Sequence, residues 1–187
     1  TTSISLSQAS YVIADEGTKR AVVVDPRRDV SPYLETAEEH GLTIELVLET
    51  HFHADFLSGH LELAAATGAE IGYGDVAVTE FESRGFADGE RYHLGDVTLE
   101  IRHTPGHTPV SISIVVYEHA DDETPYAVLT GDTMFIGDVG RPDLLSSIGV
   151  TADELAGQLY DSLHEQLLTL PDATRVFPAH GAGSACG

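Results

Sequence analysis

The chain has 187 residues and is strongly acidic, with 31 aspartates and glutamates against nine lysines and arginines and a formal net charge of −22. Such a negative field repels nucleic acids and anionic membrane surfaces, so we expect neither class of partner. The acids are spread among apolar segments and 42% of residues are hydrophobic, which indicates a folded chain instead of a disordered tail. We interpret the charge as an adaptation to concentrated salt, where screening makes a dense carboxylate surface tolerable.

The length predicts a single domain, over residues 1–187, with room for a sizeable core. No run approaches the roughly 18 consecutive apolar residues of a membrane span, and the N-terminal segment lacks the basic and apolar regions of an export signal. The single cysteine, Cys186, cannot form an internal disulfide, which is typical of a reducing compartment. The sequence therefore predicts a cytoplasmic protein.

The first third of the chain alternates between strand and helix patterns. Apolar runs predict strands over Ser10–Asp15, Arg20–Pro26 and Thr43–Thr50. Ser31 is the predicted N-cap of a helix with Pro32 in its first turn, and Gly41 follows its last turn. A second helix is predicted over Gly59–Thr67, where it follows the richest cluster of histidines in the sequence.

The remaining chain is predicted to be richer in strands. Apolar runs predict them over Thr98–Arg102, Val110–Tyr117, Ala127–Thr130 and Arg175–Phe177. The acidic segment Ala120–Thr124 is predicted to be a hairpin loop. Thr151 and Glu154 have the spacing of a capping box and begin a predicted helix over Thr151–Leu168. Strands followed by helices predict a layered α/β protein.

Chemistry-bearing side chains recur where predicted strands end. In "HFHAD", His51, His53 and Asp55 alternate, which predicts that all three point to one side of an extended segment. Later junctions add His107, Asp132, Arg141 and His180 as candidates, and His103, which we expect to support the turn at His107 instead of contacting a metal. A glycine directly precedes His107 and Asp132 and allows a tight turn at each. Because imidazoles and carboxylates together suit zinc or iron, the sequence predicts a metal site.

The motifs "THFHAD", "HTPGHTP", "GDTMF" and "PAHG" occur in this order and resemble those of the metallo-β-lactamase-fold superfamily. The resemblance covers nearly the whole chain. It implies a four-layer αββα sandwich, in which two mixed sheets lie face to face, helices lie outside and the metal lies at one edge. "ETHFHADFLSGHLELA", "GDVGRPDLL", "LYDSLHEQLLTLPD" and "PAHGAGSACG" are similar to persulfide dioxygenases, including those fused to a rhodanese domain. Glyoxalase II is the nearest hydrolytic relative of this pattern.

The dioxygenase resemblance implies one Fe(II) ion per chain, with zinc as a substitute, in a facial triad of two histidines and one carboxylate. Its ligands would be His51, His107 and Asp132. The residues that would assist catalysis, by hydrogen bonding to these ligands or to metal-bound water, are His53, Asp55 and His180. The spacing alone leaves open whether His53 binds the metal directly.

Phe56 bears on the number of metal ions. Two-metal hydrolases of this fold typically carry a histidine at this position, where it helps to hold the second ion. Phenylalanine has no lone pair, so a second site would keep only Asp55, His180 and a shared Asp132. Losing a ligand weakens a metal site severely, since even mutation of a residue that hydrogen-bonds to a ligand lowers metal affinity roughly ten- to a hundredfold. A single ion is therefore expected, although some dioxygenases of this fold keep the histidine and still bind one metal.

Three further residues, which are not predicted metal ligands, each have two possible roles. Arg141 either pairs with nearby carboxylates or binds a carboxylate of the substrate. Tyr160 either packs in the fold or contacts the substrate. Cys186 is either inert or carries sulfane sulfur in a persulfide relay.

Three functions follow from these features. The first is oxidation of a low-molecular-weight thiol persulfide, such as glutathione persulfide, by O2 to sulfite and thiol. The second is hydrolysis of a thioester by a zinc-dependent enzyme similar to glyoxalase II. The third is a sulfur-responsive binding subunit without turnover, which the complete set of metal-ligand residues argues against. A rhodanese, fused or separate, is an expected partner, and an exposed sheet edge or helix face would allow a homodimer.

Overall fold

Two five-stranded sheets form the centre of the computed structural model, which describes residues 8–143, 149–181 and 186. The first sheet has the order β1-β2-β3-β4-β5, with strands Tyr11–Ala14, Arg20–Val24, Thr43–Leu48, Glu70–Gly74 and Arg84–Phe86. The second has the order β10-β9-β8-β7-β6, where β6 to β10 are Arg91–His93, Thr98–His103, Ile112–Tyr117, Ala127–Gly131 and Arg175–Pro178.

Both sheets are mixed. In the first, β1 is antiparallel to β2 and the remaining neighbours are parallel. In the second, β10 is parallel to β9 and the remaining neighbours are antiparallel. Since β7 and β9 both run opposite to β8, they end at the same edge of their sheet together with β10. The loops after these strands therefore lie side by side.

The facing sides of the two sheets enclose the main core, which contains Val22, Val24, Leu46, Leu48, Leu99, Ile101, Ile112 and Ile114, all at most 1% exposed. Helices α1 (Ser31–His40) and α2 (His60–Thr67) cover the outer side of the first sheet. Helix α3 (Ala152–Asp161) continues into a π-helical segment, Ser162–Leu167, whose Leu167 packs on the outer side of the second sheet. The predicted αββα sandwich is thus confirmed.

Two details of the helices differ from the predictions. Helix α1 begins at Ser31 and has Val30 as its N-cap, so the prediction of Ser31 as the N-cap was wrong. The Asp29 side chain, one residue before the N-cap, accepts from the Ser31 amide at 3.1 Å. The capping box of Thr151 and Glu154 is present, but the helix widens into π-helical turns after Asp161. There the Ser162 hydroxyl donates to the Pro105 carbonyl at 2.7 Å and ties the widened turn to the second sheet.

Strands β4, β5 and β6 were not predicted. Two of them have only three residues, and β4 carries glycines at both Gly72 and Gly74, so their sequences lack the apolar runs of longer strands. No helix in the described ranges is long and apolar enough to cross a membrane.

Candidate metal centre

The three predicted metal ligands meet at one edge of the sandwich. His51 follows β3, His107 follows β7 and Asp132 directly follows β9, and one ligand atom from each lies within 4.8 Å of the others. Asp132 Oδ2 is 3.8 Å from His51 Nε2 and 3.5 Å from His107 Nε2. All three residues are buried. The fold therefore brings two imidazoles and one carboxylate together, away from bulk water.

Hydrogen bonds behind the two imidazoles fix their tautomers. The Thr50 hydroxyl donates its only proton to Asp25 Oδ2 at 2.8 Å, so its oxygen accepts from His51 Nδ1 at 3.0 Å. His107 Nδ1 donates to the Arg141 carbonyl at 3.1 Å. Each ring therefore carries its proton on Nδ1 and presents the lone pair of Nε2 towards Asp132. This is the arrangement in which histidine binds a metal ion.

The electrostatics of the cluster fit a cation. Burial lowers the pKa of both His51 and His107, which keeps the rings neutral. Burial also raises the pKa of Asp132 to about 6. Both Asp132 carboxylate oxygens are buried without a hydrogen-bond donor among the described residues. Because a buried carboxylate is normally satisfied by donors or by a cation, this donor set fits a divalent metal ion such as zinc or iron.

Two glycines allow the loops to approach one another at the site. Gly131 has φ of 51°, and a Cβ there would lie 2.8 Å from Thr50 Oγ1. Gly106 has φ of 146°, and a Cβ there would lie 2.5 Å from the Leu159 Cα. The prediction of tight turns before His107 and Asp132 is confirmed by these positive φ values.

Asp55 and His180 adjoin the ligand cluster. His180 Nε2 lies 3.2 Å from Asp55 Oδ2 and 3.4 Å from Asp132 Oδ1. Burial opposes ionisation of Asp55, but the hydrogen bond and positive charge of His180 outweigh it and lower the pKa of Asp55. The thiol of Cys186 also lies here, with its sulfur within 4.8 Å of ligand atoms of Asp55 and His180. Sequence reasoning gave no reason to place Cys186 beside these residues.

His53 contacts two carboxylates through one of its ring nitrogens. Its Nε2 lies 3.0 Å from Asp25 Oδ1 and 3.3 Å from Glu49 Oε2. The backbone after Leu48 forms bends instead of the extended segment that the prediction assumed, but the His51 and His53 rings still lie side by side, 4.1 Å apart between centroids. Burial opposes a charge on His53, but Asp25 and Glu49 outweigh it and raise its pKa well above the ordinary value.

Asp25 and Glu49 are buried carboxylates beside the site that the sequence analysis missed. Asp25 directly follows β2 and Glu49 directly follows β3, and both are buried, with 2% and 1% of their surface exposed. An acidic residue that directly follows a buried apolar strand is the sequence signal that could have identified both, because such positions are rarely charged without a partner.

The side chains of Arg141 and Tyr160 both lie at the surface. The Arg141 guanidinium pairs with both oxygens of Asp143, at 2.7 and 2.8 Å, and is 43% exposed, while its backbone carbonyl supports His107. Tyr160 is 61% exposed and its ring stacks on His164 at 4.0 Å between centroids. Packing in the core is therefore not the role of Tyr160. Its neighbour Leu159 contacts Gly106, next to His107.

Comparisons with known proteins agree with this geometry. The human mitochondrial persulfide dioxygenase ETHE1 is 29% identical over 91% of this chain and 63% of its own length. A hydroxyacylglutathione hydrolase of Rhodospirillum rubrum is 34% identical over 91% of this chain and 60% of its own length. The chain thus spans less than two thirds of both relatives. The crystal structure of ETHE1 from Myxococcus xanthus superposes with a TM-score of 0.84, at 32% identity, over 98% of this chain and 75% of that one.

A family comparison covers most of the sequence. Residues 5–180 match the model of the metallo-β-lactamase superfamily, and this range includes every metal-ligand candidate described above except Cys186. Both functional classes considered from the sequence, dioxygenase and thioester hydrolase, occur among the relatives. The two mixed sheets, the cluster at their edge and this match lead to one conclusion: the chain belongs to the metallo-β-lactamase superfamily.

Proposed function

We propose that this protein is a mononuclear non-haem iron persulfide dioxygenase, which converts a low-molecular-weight thiol persulfide, O2 and water into sulfite and the free thiol. The observation that carries the proposal is the donor set: His51, His107 and Asp132 converge, and Phe56 offers no lone pair to a second ion. Two imidazoles and one carboxylate with open positions are typical of iron oxygenases. The similarity to ETHE1 proteins supports the same reaction class.

An Fe(II) ion held by His51, His107 and Asp132 would supply the redox capacity that O2 chemistry requires and that zinc lacks. The protein fixes these ligands through Thr50 and the Arg141 carbonyl, so that both Nε2 lone pairs are presented without rearrangement. Burial of the cluster excludes bulk water from the reacting sulfur.

Asp55 and His180 are suited to manage protons beside the ligands. The lowered pKa of Asp55 keeps it ionised at neutral pH, so it can accept the proton that the persulfide loses on binding. His180 Nε2 lies 3.2 Å from Asp55 Oδ2 and 3.4 Å from Asp132 Oδ1, so its ring stands between the two carboxylates. Asp55 is half-buried, so its proton can pass to solvent.

Arg141 is the proposed binding group for a carboxylate of the thiol carrier. Its guanidinium already pairs with Asp143 through two nearly parallel hydrogen bonds, which is the geometry that a substrate carboxylate would take. The Arg141 carbonyl bonds to His107, so the side chain begins within one residue of the metal site. Tyr160 is the second proposed contact, because its ring is exposed on the helix that packs against Gly106.

Thioester hydrolysis by zinc is the alternative function, favoured by the 34% identity to the hydroxyacylglutathione hydrolase. Two-metal hydrolases of this fold typically carry a histidine where this chain has Phe56, which offers no lone pair, so Phe56 argues against this alternative. A fused or separate rhodanese, a homodimer and a cytoplasmic location stay predictions.

The test begins with protein purified without oxygen and reconstituted with Fe(II). We expect about one iron per chain, O2 consumption upon addition of glutathione persulfide, and formation of sulfite in equal amount. The zinc-loaded protein and a glutathione thioester are the controls. Thioester hydrolysis by protein with two zinc ions per chain, without O2 consumption by the iron form, would establish the alternative.

A further inference from the structure

The last helix contacts the loop that carries His107. Helix α3 ends at Asp161 and continues into the π-helical segment that begins at Ser162. The Ser162 hydroxyl donates to the Pro105 carbonyl at 2.7 Å, and a Cβ on Gly106 would lie 2.5 Å from the Leu159 Cα. Since Pro105 and Gly106 directly precede His107, the backbone of this turn rests on the helix immediately before the metal ligand.

We propose that Ser162 is a positioning residue for the metal ligand His107. Through Pro105 it fixes the turn that aims the His107 imidazole at Asp132. The proposal rests on the metal site of the proposed function but not on the reaction performed there. Among the described residues, none on the last helix belongs to a group that could hold a metal ion, so Ser162 acts through the loop alone.

The spacing of buried residues explains why the helix widens at Ser162. Leu155, Leu159 and Ser162 are all buried, and their spacing of four and then three places them on one face of an α-helix. The next buried residue is Leu167, five positions later, which packs on the outer side of the second sheet. A regular α-helix would turn position 166 to that side. The π-helical segment therefore lets Ser162 face the loop while Leu167 faces the sheet, and such segments recur at functional sites.

The chain that enters the loop is fixed before it reaches the turn. Arg102 Nη1 donates to the Gln166 carbonyl at 2.5 Å, which joins the end of β7 to the same π-helical segment. The Thr104 hydroxyl lies 3.0 Å from the Thr133 hydroxyl, and both residues are fully buried. Because Thr133 directly follows Asp132, the start of the His107 loop is tied to the loop of the carboxylate ligand. Only the turn beyond Thr104 depends on Ser162.

This turn needs external support. Gly106 has φ of 146°, and glycine has wide conformational freedom, so the turn does not hold its own shape. One local hydrogen bond, from the Gly106 amide to the Thr108 carbonyl at 3.0 Å, spans His107 but does not fix the turn relative to the sheet. His107 Nε2 is 3.5 Å from Asp132 Oδ2. Since functional groups must be held within about 0.5 Å of their working geometry, a small shift of the turn weakens metal binding.

The test compares Ser162→Ala with Thr98→Val, because each removes one buried hydroxyl from a hydrogen bond. Thr98 is the matched control: its hydroxyl lies 2.9 Å from His93 Nδ1, at the end of β7 opposite to the loop. We expect Ser162→Ala to lower zinc affinity about tenfold, as measured by competition with a chromophoric chelator, the lower end of the range for partners of metal ligands. It should also shift the visible absorption of bound Co(II), which depends on ligand geometry.

Both variants should lower the urea midpoint of the metal-free protein, but Thr98→Val should keep the wild-type zinc affinity and Co(II) spectrum. The proposal is overturned if Ser162→Ala also keeps both, because Ser162 then serves the fold alone. Equal losses of affinity in the two variants would overturn it as well.

Hydrogen exchange of the wild-type protein decides the matter if Ser162→Ala does not fold. Zinc should slow amide exchange over residues 159–167, although none of them is a ligand, because the loop that zinc immobilises rests on them. Unchanged exchange there would overturn the proposal. Persulfide oxidation is not a readout, so an inactive protein with the expected affinities would refute the dioxygenase function and leave this inference intact.

Discussion

Replacing Thr50 by valine tests the chain of contacts that orients the first metal ligand. The Thr50 hydroxyl donates to Asp25 Oδ2 at 2.8 Å and accepts from His51 Nδ1 at 3.0 Å. Thr50 is 1% exposed, so water cannot replace either bond. Valine has nearly the same shape and removes only the hydroxyl oxygen, which makes it a specific perturbation.

Loss of the hydroxyl should lower both the unfolding free energy of the metal-free protein and its affinity for metal. A hydrogen bond to a charged acceptor is worth about 1.5–3 kcal/mol and a neutral one about 0.5–1.5 kcal/mol, so the metal-free protein should lose about 2–4 kcal/mol of unfolding free energy. His51 would also lose the contact that fixes its tautomer and ring orientation. Metal affinity should then fall about ten- to a hundredfold.

The measurements are urea unfolding of the metal-free protein, followed by circular dichroism, and metal affinity by competition with a chromophoric chelator. Thr50→Ser is the matched control, because it keeps the hydroxyl and loses only a methyl group. We expect the serine variant to lie close to wild type in metal affinity. The reasoning is refuted if the valine and serine variants have the same metal affinity and the same unfolding free energy.

Four further predictions concern charge, substrate, the thiol and salt. Because its raised pKa of about 6 favours the protonated form, Asp132 stabilises the metal-free fold below pH 4 and loses that contribution as pH rises through 6. Asp132→Asn should therefore make the metal-free protein about 3 kcal/mol more stable at pH 7, while abolishing metal binding; urea midpoints between pH 4 and 8 check the sign. Arg141→Ala should raise KM for glutathione persulfide about tenfold with little change in kcat, and Arg141→Lys should fall between, as measured by O2 uptake. Cys186→Ser should keep one iron per chain by elemental analysis. If the wild-type protein instead holds two metal ions and the variant holds one, Cys186 is a ligand of the second ion. The melting temperature should rise between low and molar KCl, and a constant value would contradict the salt adaptation.

The parts of the fold that the sequence predicted are those with long apolar runs. β2, β3, β8 and β9 are almost continuously buried, so they can be predicted from their own apolar residues without knowledge of the neighbouring strands. β5 and β6 are short and polar, and they are strands because the edge of each sheet offers them a partner. Pairing with the edge of a sheet depends on the tertiary structure, so it cannot be predicted from the local sequence.

In the metal site, too, local features could be predicted from the sequence and tertiary contacts could not. His51, His107 and Asp132 were predictable as candidates because they follow strands whose ends meet at one edge. The contact of His53 Nε2 with Asp25 was not, since Asp25 follows a different strand and lies 28 residues earlier in the chain. The alternation rule gives no guide here because it holds only while the backbone stays extended, and β3 ends at Leu48.

Phe56 links the number of metal ions to their identity. It offers no nitrogen donor to a second ion, and its ring packs on His53 with 4.3 Å between centroids. What remains near the second position is Asp55, His180 and the Cys186 thiol, a softer set than the first. Because thiolate prefers zinc or copper and the facial triad suits iron, the two positions differ in the ion that they favour. We therefore expect iron, if it is the native ion as proposed, to occupy the first position alone, because the donors of the first position are the ones that suit it.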